Sequence, residues 1–187
     1  MKKIFAIAAL SLAFAVSAAA QPKAVGARFG YNGLEASYQQ YVGSPNFLEF
    51  NLGADYIGSW GFKSAILYNF TFAEPSWTSR GDWAWYAGVG LSTGYVYDLG
   101  NKHVTDVQGV KVTTFDRNDM GFMFSVPVQV GVSYTFWFPL QLSLDIRPYL
   151  GIHNVTYRDG NTKFSRTGFY NNGLWGFTPT LSVHYAF

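Results

Sequence analysis

Three histidines, a handful of charged side chains and no cysteine set the limits of the chemistry this chain can perform. Without thiols, disulfides, thiolate catalysis, cysteine-based zinc sites and a lipidated N-terminal cysteine are all excluded. No pair of histidines has metal-ligand spacing, so no zinc centre is expected. Glycine-rich phosphate loops and basic–aromatic nucleic-acid patches are absent from the sequence, so neither a cofactor nor a nucleic-acid partner is expected. Histidine-assisted hydrolysis needs a serine or water nucleophile and a carboxylate within hydrogen-bond reach of the ring. His153 is the best placed of the three, but Asn154 follows it where a neighbouring serine would be wanted, so its partners would have to come from elsewhere. His103 reads as a solvated loop residue and His184 as a satisfied core residue. No catalytic residue is therefore assigned. The sequons Asn69-Phe70-Thr71 and Asn154-Val155-Thr156 read as chance. What remains is ionic: Arg28, Lys63 and Arg147 against Glu35, Glu49, Asp55 and Asp145. Whether these seven are a paired core or an ion pathway depends on the elements that hold them.

Those elements are strands. Beyond residue 21 no stretch carries apolar residues at helical spacing, and none is a continuous apolar run of transmembrane-helix length. What recurs is alternation with period two, broken by turn residues, in eight stretches: about 24–31, 34–41, 48–56, 62–72, 83–97, 120–136, 140–152 and 174–187. One parity collects 50 positions without a single charge, among them Val25, Phe29, Phe50, Ile66, Trp83, Trp85, Val130, Leu144 and Phe187. The other parity holds the seven charges among Gly, Ser, Thr and Ala. Volume decides which parity faces out. The uncharged face carries 21 aromatics, and an eight-stranded barrel has an interior only just wide enough for its side chains. The rings must be outside, where only lipid tolerates such a surface, and the small polar face with its ion pairs must fill the lumen. Tyr31, Tyr56, Phe62, Tyr95, Tyr97 and Trp175 fall near one set of strand ends. Tyr38, Phe72, Trp83, Trp85, Tyr134, Phe136, Tyr185 and Phe187 fall near the other, giving two aromatic girdles around an aliphatic band.

The N-terminus reads as an export signal. Lys2 and Lys3 precede an apolar run from Ile4 to Val16 and a small-residue ending, so residues 1–20 are expected to be removed after Ala20. The mature domain, 21–187, then has 167 residues and balances 11 basic against 11 acidic side chains, so the basic character belongs to the leader. Asn32-Gly33 reads as a two-residue hairpin turn placing Tyr31 opposite Leu34. Trp137-Phe138-Pro139 reads as a three-residue periplasmic turn. The long connections Asp98–Asp119 and Val155–Gly173 both fall at the external end, and the second offers Tyr157, Arg158, Lys163, Arg166, Phe169 and Tyr170 for binding. His103–Phe115 is expected to form a hairpin above the membrane, with a ten-stranded barrel as the alternative. Pro127, Pro148 and Pro179 lie within strands, where bulges are expected.

Three stretches resemble the small outer-membrane β-barrel proteins of the eight-stranded OmpA/OmpX-like type: DWAWYAGVGLSTGY (82–95), VGVSYTFWFPLQLSLDIRPYLG (131–151) and the ending LSVHYAF. The resemblance covers essentially the whole mature length. It implies an all-β, antiparallel, up-and-down transmembrane barrel in the outer membrane of a Gram-negative-type cell. It implies that Leu181, Val183, Tyr185 and Phe187 form the signal read by the barrel-assembly machinery. The expected partners are outer-membrane lipid and lipopolysaccharide, with periplasmic chaperones during biogenesis, and the expected state is a monomer. The expected role is structural or surface interaction through the external loops. The alternatives are a lipid-modifying enzyme using His153, although lipid A deacylase barrels carry a His-Ser pair that this chain lacks, and a narrow channel.

Overall fold

The computed structural model describes residues 23–30, 33–43, 45–54, 61–97, 102–107, 110–115, 120–159, 162–172 and 179–187. The expected leader 1–20 and its cleavage point lie outside the described residues, as do Tyr31, Asn32, Asp55, Tyr56 and Trp175. The elements are β1 (Lys23–Gly30), β2 (Gly33–Tyr41), β3 (Phe47–Ala54), β4 (Phe62–Ala73), β5 (Asp82–Tyr97), β6 (Lys102–Val107), β7 (Val110–Phe115), β8 (Met120–Thr135), β9 (Leu140–Ile146), β10 (Tyr149–Asp159), β11 (Thr162–Asn172) and β12 (Pro179–Ala186).

These strands build a closed eight-stranded antiparallel barrel. β9 and β10 are two parts of its seventh wall strand, and β11 and β12 are two parts of its eighth. Closure can be traced in the register. From Leu142 the pairing runs through Val183, Ala27, Ala36, Leu52, Ser64, Thr93 and Phe124 to Ile152, ten residues further along the strand it left. That stagger is what a tilted, closed sheet requires, and it removes the free edges of the wall. Every residue on this path belongs to the uncharged parity, so one face is kept outward through the full turn. Val130 is 50% exposed on it, while Gln129 beside it is fully buried in the lumen.

Tight closure also needs glycine on the inner face. A Cβ at Gly90 would lie 1.9 Å from the carbonyl oxygen of Ile66, and one at Gly53 would lie 2.0 Å from that of Leu34. The neighbouring strand curls into the space that a side chain would take.

Several connections differ from expectation. The first hairpin pairs Phe29 with Leu34 and Gly30 with Gly33, and Gly33 has φ +109°. The register moves by two residues from the expected one, which preserves the faces and brings Arg28 directly opposite Glu35 rather than one step away. The turn at 137–139 is as expected, with the Phe136 amide donating to the Leu140 carbonyl at 2.9 Å. β6 and β7 pair only with each other among the described residues, so the expected hairpin forms and the ten-stranded barrel does not.

Val155–Gly173 is not a long loop. β10 and β11 continue the seventh and eighth strands as a hairpin, joined at Asp159 and Thr162. Arg158 and Lys163 interrupt the apolar parity there, which hides a strand whose two faces need not differ.

The prolines act in two ways. At Pro127 no residue is inserted. The β5–β8 register is the same on both sides, but Gly90 and Leu91 go unpaired opposite the missing proline N–H. Around Pro148 and Pro179 the β9–β12 pairing ends at Ile146↔Pro179 and β10–β11 resumes at Tyr149↔Asn172. The two pairings are therefore not in one continuous register.

Candidate functional site

The inward parity of five wall strands delivers the charges to one level of the lumen. β1 contributes Arg28, β2 Glu35, β3 Glu49, β4 Lys63 and β9 Asp145, while Arg147 sits in the break between β9 and β10. All six are at most 5% exposed. Arg28 makes a two-pronged contact with Asp145, Nη1 to Oδ2 at 2.9 Å and Nη2 to Oδ1 at 2.7 Å. Its Nη1 also lies 3.0 Å from Glu49 Oε1, and its Nε 3.4 Å from Glu35 Oε2. Arg147 reaches Glu49 Oε1 with Nη2 at 2.6 Å and Glu35 Oε2 with Nη1 at 3.4 Å. Lys63 Nζ is 3.6 Å from Glu35 Oε1 and 5.0 Å from the centre of the Tyr149 ring.

Three cations therefore meet three carboxylates among the described residues; Asp55, the seventh expected member, lies outside them. Charges held from water persist only when paired and hydrogen-bonded, and the planar arginine fork suits carboxylates from several directions at once. Asp145 and Arg147, neighbours on one face, reach across the lumen to different partners: Asp145 to Arg28, and Arg147 to Glu35 and Glu49.

Uncharged groups complete the cluster. Gln129 accepts from Arg147 Nε at 2.8 Å, and Ser182 accepts from Arg28 at 3.1 Å. The Tyr86 hydroxyl donates to Asp145 at 3.2 Å and the Tyr149 hydroxyl to Glu35 at 3.5 Å. The Asn69 amide donates to Glu49 at 3.4 Å. Sequence reasoning limited to charges missed these residues. Their signal was available, because each is a polar or phenolic side chain at an inward position among small neighbours.

Toward the end that bears the β10–β11 hairpin an apolar layer of Val96, Met123, Tyr149 and Tyr170 covers the ions. His153 belongs to this layer: it is 1% exposed, its Nε2 is 2.9 Å from the Val96 carbonyl and its ring 6.0 Å from that of Tyr170. Tyr170 is consequently a lumen residue and not a loop residue available for recognition, whereas Phe169 points outward at 65% exposure. The side chains of His103, Tyr157, Arg158, Lys163 and Arg166 lie outside the described set. His184 is fully buried with Nε2 2.9 Å from Ser37 Oγ. No group of three His, Cys, Asp or Glu that could hold a metal occurs among the described residues. Leu181, Val183, Tyr185 and Phe187 share the outward face of the last strand, and the Phe187 backbone exchanges two hydrogen bonds with Lys23 at 2.8 and 2.9 Å.

No family model matches the chain, and no curated protein matches it. Among solved structures, the crystal structure of the N-terminal β-barrel domain of Pseudomonas aeruginosa OprF is similar at 12% identity, covering 89% of this chain and 96% of that one with a TM-score of 0.49.

Proposed function

We propose that this chain is an integral outer-membrane β-barrel with a structural or surface-interaction role, exported through a cleaved leader and closed along its axis by the ion cluster. One observation carries the reading: apart from Lys23 at the start of β1 the outward face of the described wall is uncharged and broadly exposed, while Arg28, Glu35, Glu49, Lys63, Asp145 and Arg147 are buried and paired inside it. In water that arrangement would be inverted. In hydrocarbon it is the one that satisfies both the backbone, through closure, and the side chains. The rings near the strand ends support the same setting. Phe72, Tyr185 and Phe187 sit at the terminal end, and Phe62 and Tyr95 near the other, each at least half exposed.

The lumen is read as non-catalytic, since His153 is embedded under Tyr170. On this reading lipid and lipopolysaccharide surround the wall, and chaperones and the assembly machinery handle the chain before insertion. The Leu181–Phe187 face serves as the signal for that machinery. Recognition falls to the β6–β7 and β10–β11 hairpins.

Fractionation tests the setting. The mature chain is expected in the outer-membrane fraction, released only by detergent, and slower-running in gels after boiling than before it. A chain that stays monomeric in detergent-free buffer with its tryptophans shielded from a water-soluble quencher would overturn the reading.

A further inference from the structure

At the terminal end of the lumen, below the ion cluster, lies a cavity of about 160 Å³. Tyr41, Phe47 and Gln141 are among the residues that line it, and Glu74 and Asp82, on either side of the β4–β5 connection, are exposed members of the same lining. It is a chamber of its own: Phe47 packs edge-on against Tyr86 at 5.4 Å, and Tyr86 hydrogen-bonds to Asp145 of the ion cluster. The lining contains two carboxylates and no basic residue; Arg80 of the same connection is not part of it.

A second observation points to an occupant. Gln141 is 4% exposed, and its Nε2 donates to the Tyr41 hydroxyl at 3.3 Å, but its Oε1 is buried without a hydrogen-bond partner. A buried acceptor left unmade costs about 1–3 kcal/mol. The lining thus presents two carboxylates and an amide oxygen beside the ring of Phe47, together with the unmatched Nε1–H of Trp83 and the hydroxyls of Thr71, Ser133 and Thr135, and with two acids and no base it asks for a donor that carries positive charge.

We propose that this chamber binds a primary ammonium group: the N–H donors go to Gln141 Oε1 and the carboxylates of Glu74 and Asp82, and the adjoining methylenes lie against Phe47. The flank favours an ammonium over an inorganic cation, because the ring of Phe47 offers no oxygen ligand to a hard ion. An ammonium needs only three acceptors and an apolar or aromatic flank. Two sources carry this group, free aliphatic amines and lysine-type side chains of peptides.

The test is a titration of the isotope-labelled, folded barrel in detergent, followed through the Gln141 side-chain amide resonance. Cadaverine and an N-acetylated, C-amidated lysine tripeptide are the two probes, with potassium chloride at matched ionic strength as the control. A saturable shift with either probe, weakened at least tenfold in the Glu74→Gln/Asp82→Asn double variant, supports the proposal, and the probe that binds identifies the source. Shifts reproduced by potassium chloride, or equal affinity in the double variant, overturn it, as does the absence of any saturable shift. A β-sheet circular dichroism spectrum on the same sample separates a failed chamber from a failed barrel. The outcome does not depend on whether lipid surrounds the wall.

Discussion

Glu49 is fully buried and shared by both arginines, with Nη1 of Arg28 at 3.0 Å and Nη2 of Arg147 at 2.6 Å from the same oxygen. Its other oxygen takes the Asn69 amide. Replacing one partner of such a cluster leaves the rest buried and uncompensated, which is far costlier than removing the whole cluster. Glu49→Gln keeps the shape but leaves three cations facing two described carboxylates. It is expected to lower unfolding free energy by about 3–5 kcal/mol, read from urea unfolding in lipid vesicles. An unchanged midpoint would show that the cluster is not the closed, dry unit described above. The six charged members of this cluster were nominated by parity alone. Their pairing was not, because parity names a face and says nothing of which residues meet across it.

Strands and turns carry the next set of consequences. On β8, Val130 looks outward and Ser133 inward, three residues apart and with exposures of 50% and 5%. Val130→Arg is expected to cost about 2–4 kcal/mol and to reduce assembled barrel. Ser133→Arg should act through crowding in the chamber beneath the ion cluster. Arginine tolerated as well at Val130 as at an exposed turn residue would contradict the outward assignment. The β6–β7 hairpin pairs with no barrel strand among the described residues, so replacing residues 102–115 with a short Gly/Ser linker is expected to shift stability by less than about 0.5 kcal/mol, checked by the same unfolding assay. Six strand positions and the 137–139 turn were legible because one face is apolar along their full length. The β10–β11 extension was not. Beyond the apolar band the requirement for alternation lapses, and Arg158, Lys163 and Arg166 read as loop. At Trp77 and Trp137, exposed at 61% and 74% in the terminal-end turns, girdle rings lie outside the alternation and were likewise invisible to it. Trp77 nonetheless packs within 5.4 Å of Trp83.

For the molecule as a whole, eight strands leave little free lumen, and the ion cluster with its cap of Val96, Met123, Tyr149 and Tyr170 occupies it. Planar bilayers containing the purified barrel are expected to stay silent. Conductance steps that change on Arg147→Ala or Asp145→Ala would make the cluster part of an ion pathway. The sequence by itself determined the strand class, the face each residue takes and the reversal of polarity between wall and lumen. These follow from a period of two and from the solvent each face must meet, which are local and additive along the chain. Only the tertiary structure decided that Arg147 reaches Glu49 across the axis, that Tyr170 turns in over His153 and that Gln141 keeps an unmatched oxygen in the chamber lined by Glu74 and Asp82. These depend on how the strands are registered and closed around the lumen, which for the ion cluster brings together side chains about a hundred positions apart, and no local pattern encodes that arrangement.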